Sequence, residues 1–107
     1  MKKWTALFVA LALVAGAVFA QPVTVEFWHA MTGKNAEMVT AVCDKFNASQ
    51  TGYKVVPVFK GSYPETLTAG IAAFRAGQAP GIIQVQEVAT ATFMAAKGAV
   101  KPVYELM

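Results

Sequence analysis

The sequence predicts an α/β fold with a parallel sheet, its elements in the order β-α-β-α-β-α. Three observations point there. Short apolar and β-branched runs recur at residues 23–28, 53–59 and 82–85. Apolar residues at helical spacing fill the intervals between them. Glycine, proline and a helix-capping signature mark the boundaries.

Each element has its own signature. In VTVEFW, Val23, Val25 and Phe27 fall on one face of a strand. A Gly-containing loop, His29 to Asn35, leads into a helix over residues 35–48. There Met38, Val39, Val42, Cys43 and Phe46 form the apolar stripe. Gly52 breaks the chain, and YKVVPVF reads as a second strand. Pro57 cannot donate to a ladder, which places that strand at an edge. Ser62-Tyr63-Pro64-Glu65 is a capping box with proline in the first turn. Leu67, Ile71 and Phe74 continue that helix at i, i+4 and i+7, and Gly77 is placed to end it. After Ala79-Pro80-Gly81, residues 82–85 read as a short buried strand. Thr90 or Thr92 opens a third helix through Lys97, stopped by Gly98. The sequence contains no internal repeat and no low-complexity linker.

The first twenty residues have a different character. Lys2 and Lys3 precede a charge-free apolar run, Trp4 to Phe19, which closes on Val18-Phe19-Ala20. That is the pattern of a cleavable secretory signal over residues 1–20, cut after Ala20. The run is short for a membrane anchor and polar sequence follows at once. Residues 21–107 are expected to form the N-terminal part of a domain. They are too few to cover both faces of a parallel sheet.

Removing Lys2 and Lys3 from the nine basic residues leaves seven against six acidic ones. The sequence pI near 9.2 therefore says little about partners. The remaining bases are scattered, without the stripe that nucleic acid requires. Cys43 is the single cysteine, so there is no disulfide framework and no paired metal or redox motif. It reads as a small buried hydrophobe. No catalytic cluster, metal set or cofactor motif is expected.

Topology places a site. In open parallel sheets, ligands bind beyond the carboxyl ends of the strands. Three segments emerge there: residues 29–34, 60–63 and 86–90. They offer Trp28, His29, Lys60, Ser62, Tyr63, Gln86 and Glu87. An aromatic wall, a hydroxyl donor and a carboxylate suit a small polyol. His29 reads as a hydrogen-bonded loop histidine, and Trp28 as a strand-end residue that packs or lines the cleft. Lys60 reads as a solvated lysine beside a turn, able to attract a phosphate, and Arg75 as a surface charge.

These residues also carry a resemblance. EFWHAMTG, YKVVPVFKGSYPETLTAGIAAFRAGQAPGIIQVQEV and VKPVYEL resemble the periplasmic solute-binding proteins of ABC importers. The KGSY to QVQEV block is similar to the glycerol-phosphate branch. The resemblance implies the start of a two-lobed, hinged type II binding-protein fold that closes on a ligand and delivers it to membrane permease subunits. It implies a monomer, in the periplasm, that binds sn-glycerol-3-phosphate or glycerophosphodiesters. The tyrosine of the KG-x-Y turn matches Tyr63 and the glutamate ending QV-x-E matches Glu87, both ligand contacts in that family. Trp28 and His29 are possible cleft-lining residues. Ser62 stands where the family often has asparagine, and Gln86 where an aromatic is common. The family's phosphate-facing groups lie beyond Met107, so this chain by itself is expected to bind weakly or not at all. A receptor for a neutral sugar, or an exported enzyme with its catalytic groups elsewhere, are the alternative readings.

Overall fold

The computed structural model describes residues 20–107. The expected signal peptide lies outside the described residues, save for Ala20. Strands β1 (Val23–His29), β2 (Tyr53–Phe59) and β3 (Ile82–Ile83) form one parallel sheet in the order β2-β1-β3. Val23 pairs with Tyr53 and His29 with Phe59, while Phe27 and Trp28 pair with Ile82 and Ile83. Helices α1 (Gly33–Ser49), α2 (Tyr63–Arg75) and α3 (Thr90–Met94) alternate with the strands as expected. No helix among the described residues is long and apolar enough to cross a membrane.

Side chains alternate along a strand, so β1 sends neighbouring residues to opposite faces. Phe27 faces α1, where it lines an apolar groove with Val42, Cys43, Phe46, Val55 and Ile82. Trp28 and Ile83 take the other face, under α2 and α3. There a Cβ on Gly70 would run into Ile83 Cδ1 and lie 3.7 Å from the Phe93 ring. That close approach shifts the buried line of α2 from the expected Leu67, Ile71 and Phe74 to Thr66 and Gly70. Small side chains sit at the point of contact and the larger ones flank it, half-buried.

Among the described residues the buried hydrophobic side chains are Trp28 and Cys43. Burial raises the Cys43 thiol above its ordinary pKa, with a smaller push from Asp44, so it stays protonated at neutral pH. Met38, Val42 and Phe46 lie four residues apart on α1 and remain 65%, 64% and 43% exposed. The flank of α1 that borders Phe27, Ile82 and Gln84 is therefore an uncovered apolar stripe.

The first half of the free edge of β2 is closed by side chains. The Asn47 amide donates to the Val55 carbonyl and accepts from the Val55 N–H, each at 2.8 Å. The Gln50 amide does the same at Tyr53, at 2.7 and 2.8 Å. Alternate residues of a strand point their backbone groups the same way, so Pro57 points out of this edge too. Its missing N–H costs the β1 ladder nothing, which is why a proline is tolerated there.

β3 is shorter than the expected residues 82–85 and half-exposed. The Gln84 N–H still reaches the Trp28 carbonyl at 2.8 Å, but its side chain turns to β1 and accepts from the Ala30 N–H at 3.0 Å. α3 likewise ends before Lys97, and a 3-10 turn, Glu87–Ala89, precedes it.

Thr66 is fully buried, and its hydroxyl has no hydrogen-bond partner among the described residues. An unpaired buried hydroxyl costs about 1–3 kcal/mol. Thr66→Val keeps the shape and removes the polar group, so we expect it to stabilise the chain by about 1 kcal/mol, read from the urea midpoint. A lower midpoint would mean that the hydroxyl finds a partner in solution.

Candidate functional site

All three strands run the same way, so the segments after β1, β2 and β3 emerge at one edge. The chain passes from β1 to β2 on one side, then crosses back over β1 to β3. The strand order reverses between β1 and β3, where open α/β sheets place their ligand crevice. The Ala30 to Gln84 bond ties the two strand ends across that point.

The turn after β2 is built from four consecutive residues. The Lys60 N–H donates to the His29 carbonyl at 3.0 Å, which extends the ladder by one residue. Gly61 then takes φ of 94°, a region that disfavours any side chain. Ser62 caps α2: its hydroxyl accepts from the Glu65 N–H at 3.4 Å, and the Glu65 carboxylate accepts from the Ser62 N–H at 2.6 Å. The capping box read from sequence is thus present in full. It makes Tyr63 the first residue of α2, half-buried at the carboxyl edge.

The bond from the Ser62 backbone, and a lesser one from its side chain, hold Glu65 below the ordinary carboxyl range. A carboxyl with a lowered folded pKa stabilises above its unfolded pKa, and that stability is lost as pH falls through the folded value. We therefore expect α2 to loosen in acid. Glu65→Gln should flatten this part of the pH profile, measured as the urea midpoint from neutral to acid pH. An unchanged acid slope would remove the cap from the account.

Glu87 opens the 3-10 turn after β3 and is exposed. His29 is 5% exposed and sits between Phe27 and Phe59, with ring centroids 5.9 and 6.0 Å away. Its Nδ1 accepts from the Met31 N–H at 3.2 Å, which shapes the loop after β1 and requires the ring proton on Nε2.

Trp28 is buried, and its indole N–H donates to the Glu26 carboxylate at 2.7 Å. The Lys60 ammonium lies 3.9 Å from the centre of its ring. Sequence reasoning had Lys60 and Trp28 as separate residues, because only the strand pairing brings them together. What Trp28 presents at this edge is the lysine seated on it. No group of three or more His, Cys, Asp or Glu that could hold a metal occurs among the described residues.

No protein-family model matches the chain. It is 58% identical over 82 residues to the sn-glycerol-3-phosphate-binding periplasmic protein of Rhizobium meliloti, covering 77% of this chain and 19% of that one. The protein of the same name in Yersinia pestis is 51% identical over 98 residues, 92% of this chain and 22% of its own length. That of Brucella suis is 48% identical over 103 residues, 96% of this chain and 24% of its own length. The chain spans about a fifth of the length of the curated relatives it matches. Over that stretch the chain is similar to the sn-glycerol-3-phosphate-binding periplasmic proteins.

Proposed function

We propose that the chain is part of the substrate-binding component of an ABC import system. That component takes sn-glycerol-3-phosphate or a glycerophosphodiester in the periplasm and passes it to the permease. Residues 1–20 serve as the export signal, and residues 21–107 as the opening part of the first lobe. The observation that carries this is the 58% identity to a glycerol-3-phosphate-binding relative. Tyr63, at the start of α2, and Glu87, on the turn after β3, both at the carboxyl edge of the sheet, support it.

The chemistry needed is recognition alone. The Glu87 carboxylate accepts hydrogen bonds from neighbouring glycerol hydroxyls, which no bond-breaking step follows. Tyr63 lies against the carbon backbone and donates its hydroxyl. The groups that hold the phosphate belong to the remainder of the receptor.

The test grafts residues 21–107 into the matching stretch of the Rhizobium meliloti protein and titrates it calorimetrically with glycerol-3-phosphate. Saturable binding is expected, weakened about tenfold by Glu87→Gln, which loses the charge-assisted bonds. The 107-residue chain alone should bind far more weakly. A graft that prefers a disaccharide, or Glu87→Gln without effect, overturns the assignment. Turnover of a glycerophosphodiester would make the protein an enzyme instead.

A further inference from the structure

We propose that Lys60 is the positioning residue that sets the direction in which Tyr63 meets ligand, and that Glu26 and Trp28 exist in part to hold it. This rests on the reading that Tyr63 is a ligand contact. The observations form one connected strut. Glu26, on the middle of β1, takes the Trp28 indole N–H at 2.7 Å and so fixes the ring plane. Donation to an anion draws electron density onto the indole face, the side on which a cation is attracted. The Lys60 ammonium occupies that face at 3.9 Å from the ring centre. Its own N–H is bound to the His29 carbonyl at 3.0 Å, so Lys60 is held at both ends on β1.

Geometry makes the strut matter for the turn. β1 is the central strand and Trp28 is buried, so the platform under Lys60 is among the most fixed parts of the molecule. Between Lys60 and Tyr63 stand Gly61, at a φ open chiefly to glycine, and Ser62, closed by the capping box. The capping box fixes Tyr63 relative to α2, but it does not fix α2 relative to the strand ends. Lys60 supplies that second constraint, because it anchors the near side of the glycine to β1. A free lysine on a glycine turn would leave the turn able to swing, and Tyr63 with it. The strut also uses a lysine where no direct contact with ligand is needed: its charge is met by the ring.

The experiment is a double-mutant cycle on the grafted receptor, read as glycerol-3-phosphate affinity. Lys60→Met keeps the aliphatic stem and removes the charge, and should weaken binding about fivefold. Lys60→Arg should restore it, since a guanidinium stacks on an indole at least as well. Glu26→Gln should weaken binding in the same direction but less. Combined with Tyr63→Ala, Lys60→Met should cost nothing further, because it acts through the side chain already removed. If Tyr63→Ala weakens binding and Lys60→Met does not, the positioning role is wrong while the ligand reading stands. Additive losses would give Lys60 a direct role and overturn the inference as well. If Tyr63→Ala itself has no effect, the ligand reading of Tyr63 fails first.

Discussion

Trp28→Ala is expected to abolish the cooperative unfolding transition of the chain. Large-to-small substitution of a buried aromatic costs about 3–5 kcal/mol, comparable with the whole stability of a small domain, about 5 kcal/mol. Few residues could compensate, since Trp28 and Cys43 are the buried hydrophobic side chains among the described residues. The substitution also strips the Glu26 carboxylate of its donor and Lys60 of its ring. Urea unfolding followed by far-ultraviolet circular dichroism reads the result without depending on the tryptophan. A sloping, non-sigmoidal profile is expected for Trp28→Ala. Trp28→Phe, which keeps a ring and loses the N–H bond, should retain a transition weakened by about 1–2 kcal/mol. A wild-type midpoint for the alanine variant would mean that the ring is not the anchor of the sheet.

Gly61→Ala should be the most damaging single-methyl change in the turn, at about 1–2 kcal/mol from the backbone alone. Holding an L-residue at positive φ costs about 1–2 kcal/mol, and displacing the Glu65 carboxylate opens its half of the capping box. Both apply here, because the new Cβ would fall on the Glu65 carboxylate and lie 3.2 Å from Glu65 Cβ. The carboxylate is the only part able to yield, and yielding breaks its bond to the Ser62 N–H. Gly61→Ala should therefore cost less in a Glu65→Ala background, where the carboxylate bond to the Ser62 N–H is already gone, and the residual cost measures backbone strain. Equal costs in both backgrounds would assign the whole effect to strain. In the grafted receptor, affinity should fall together with stability, since Tyr63 stands two residues on.

The parts of the fold that sequence reading recovers are those set by near neighbours. Ser62 and Glu65 cap a helix within a single turn, so their pattern is readable from four letters. Pro57 announces an edge strand because its lack of a donor is intrinsic to the residue. What was not legible depends on register. Asn47 and Gln50 close the β2 edge only because α1 ends beside Tyr53 and Val55. Lys60 finds Trp28 only because His29 pairs with Phe59, which puts the next residue of β2 alongside β1. Thr66 and Gly70 carry no hydrophobic signal, yet close packing against Ile83 selects them as the contact line of α2. Of the candidate site, Tyr63 and Glu87 follow from strand order together with the resemblance of the KG-x-Y and QV-x-E phrases. The Glu26–Trp28–Lys60 strut is a product of tertiary structure alone.

The amides of Asn47 and Gln50 have one more consequence. They act as terminators: with Tyr53 and Val55 satisfied and Pro57 lacking a donor, the margin at β2 resists pairing, and the described sheet recruits strands past β3. Whatever joins it, whether more of the same polypeptide or a neighbouring molecule, must arrive from that direction. Two such molecules meeting margin to margin would consume both open sides and present nothing to a third. Growth by strand addition therefore halts at a pair, and the open-ended stacking that turns exposed strands into fibres has no second end from which to propagate.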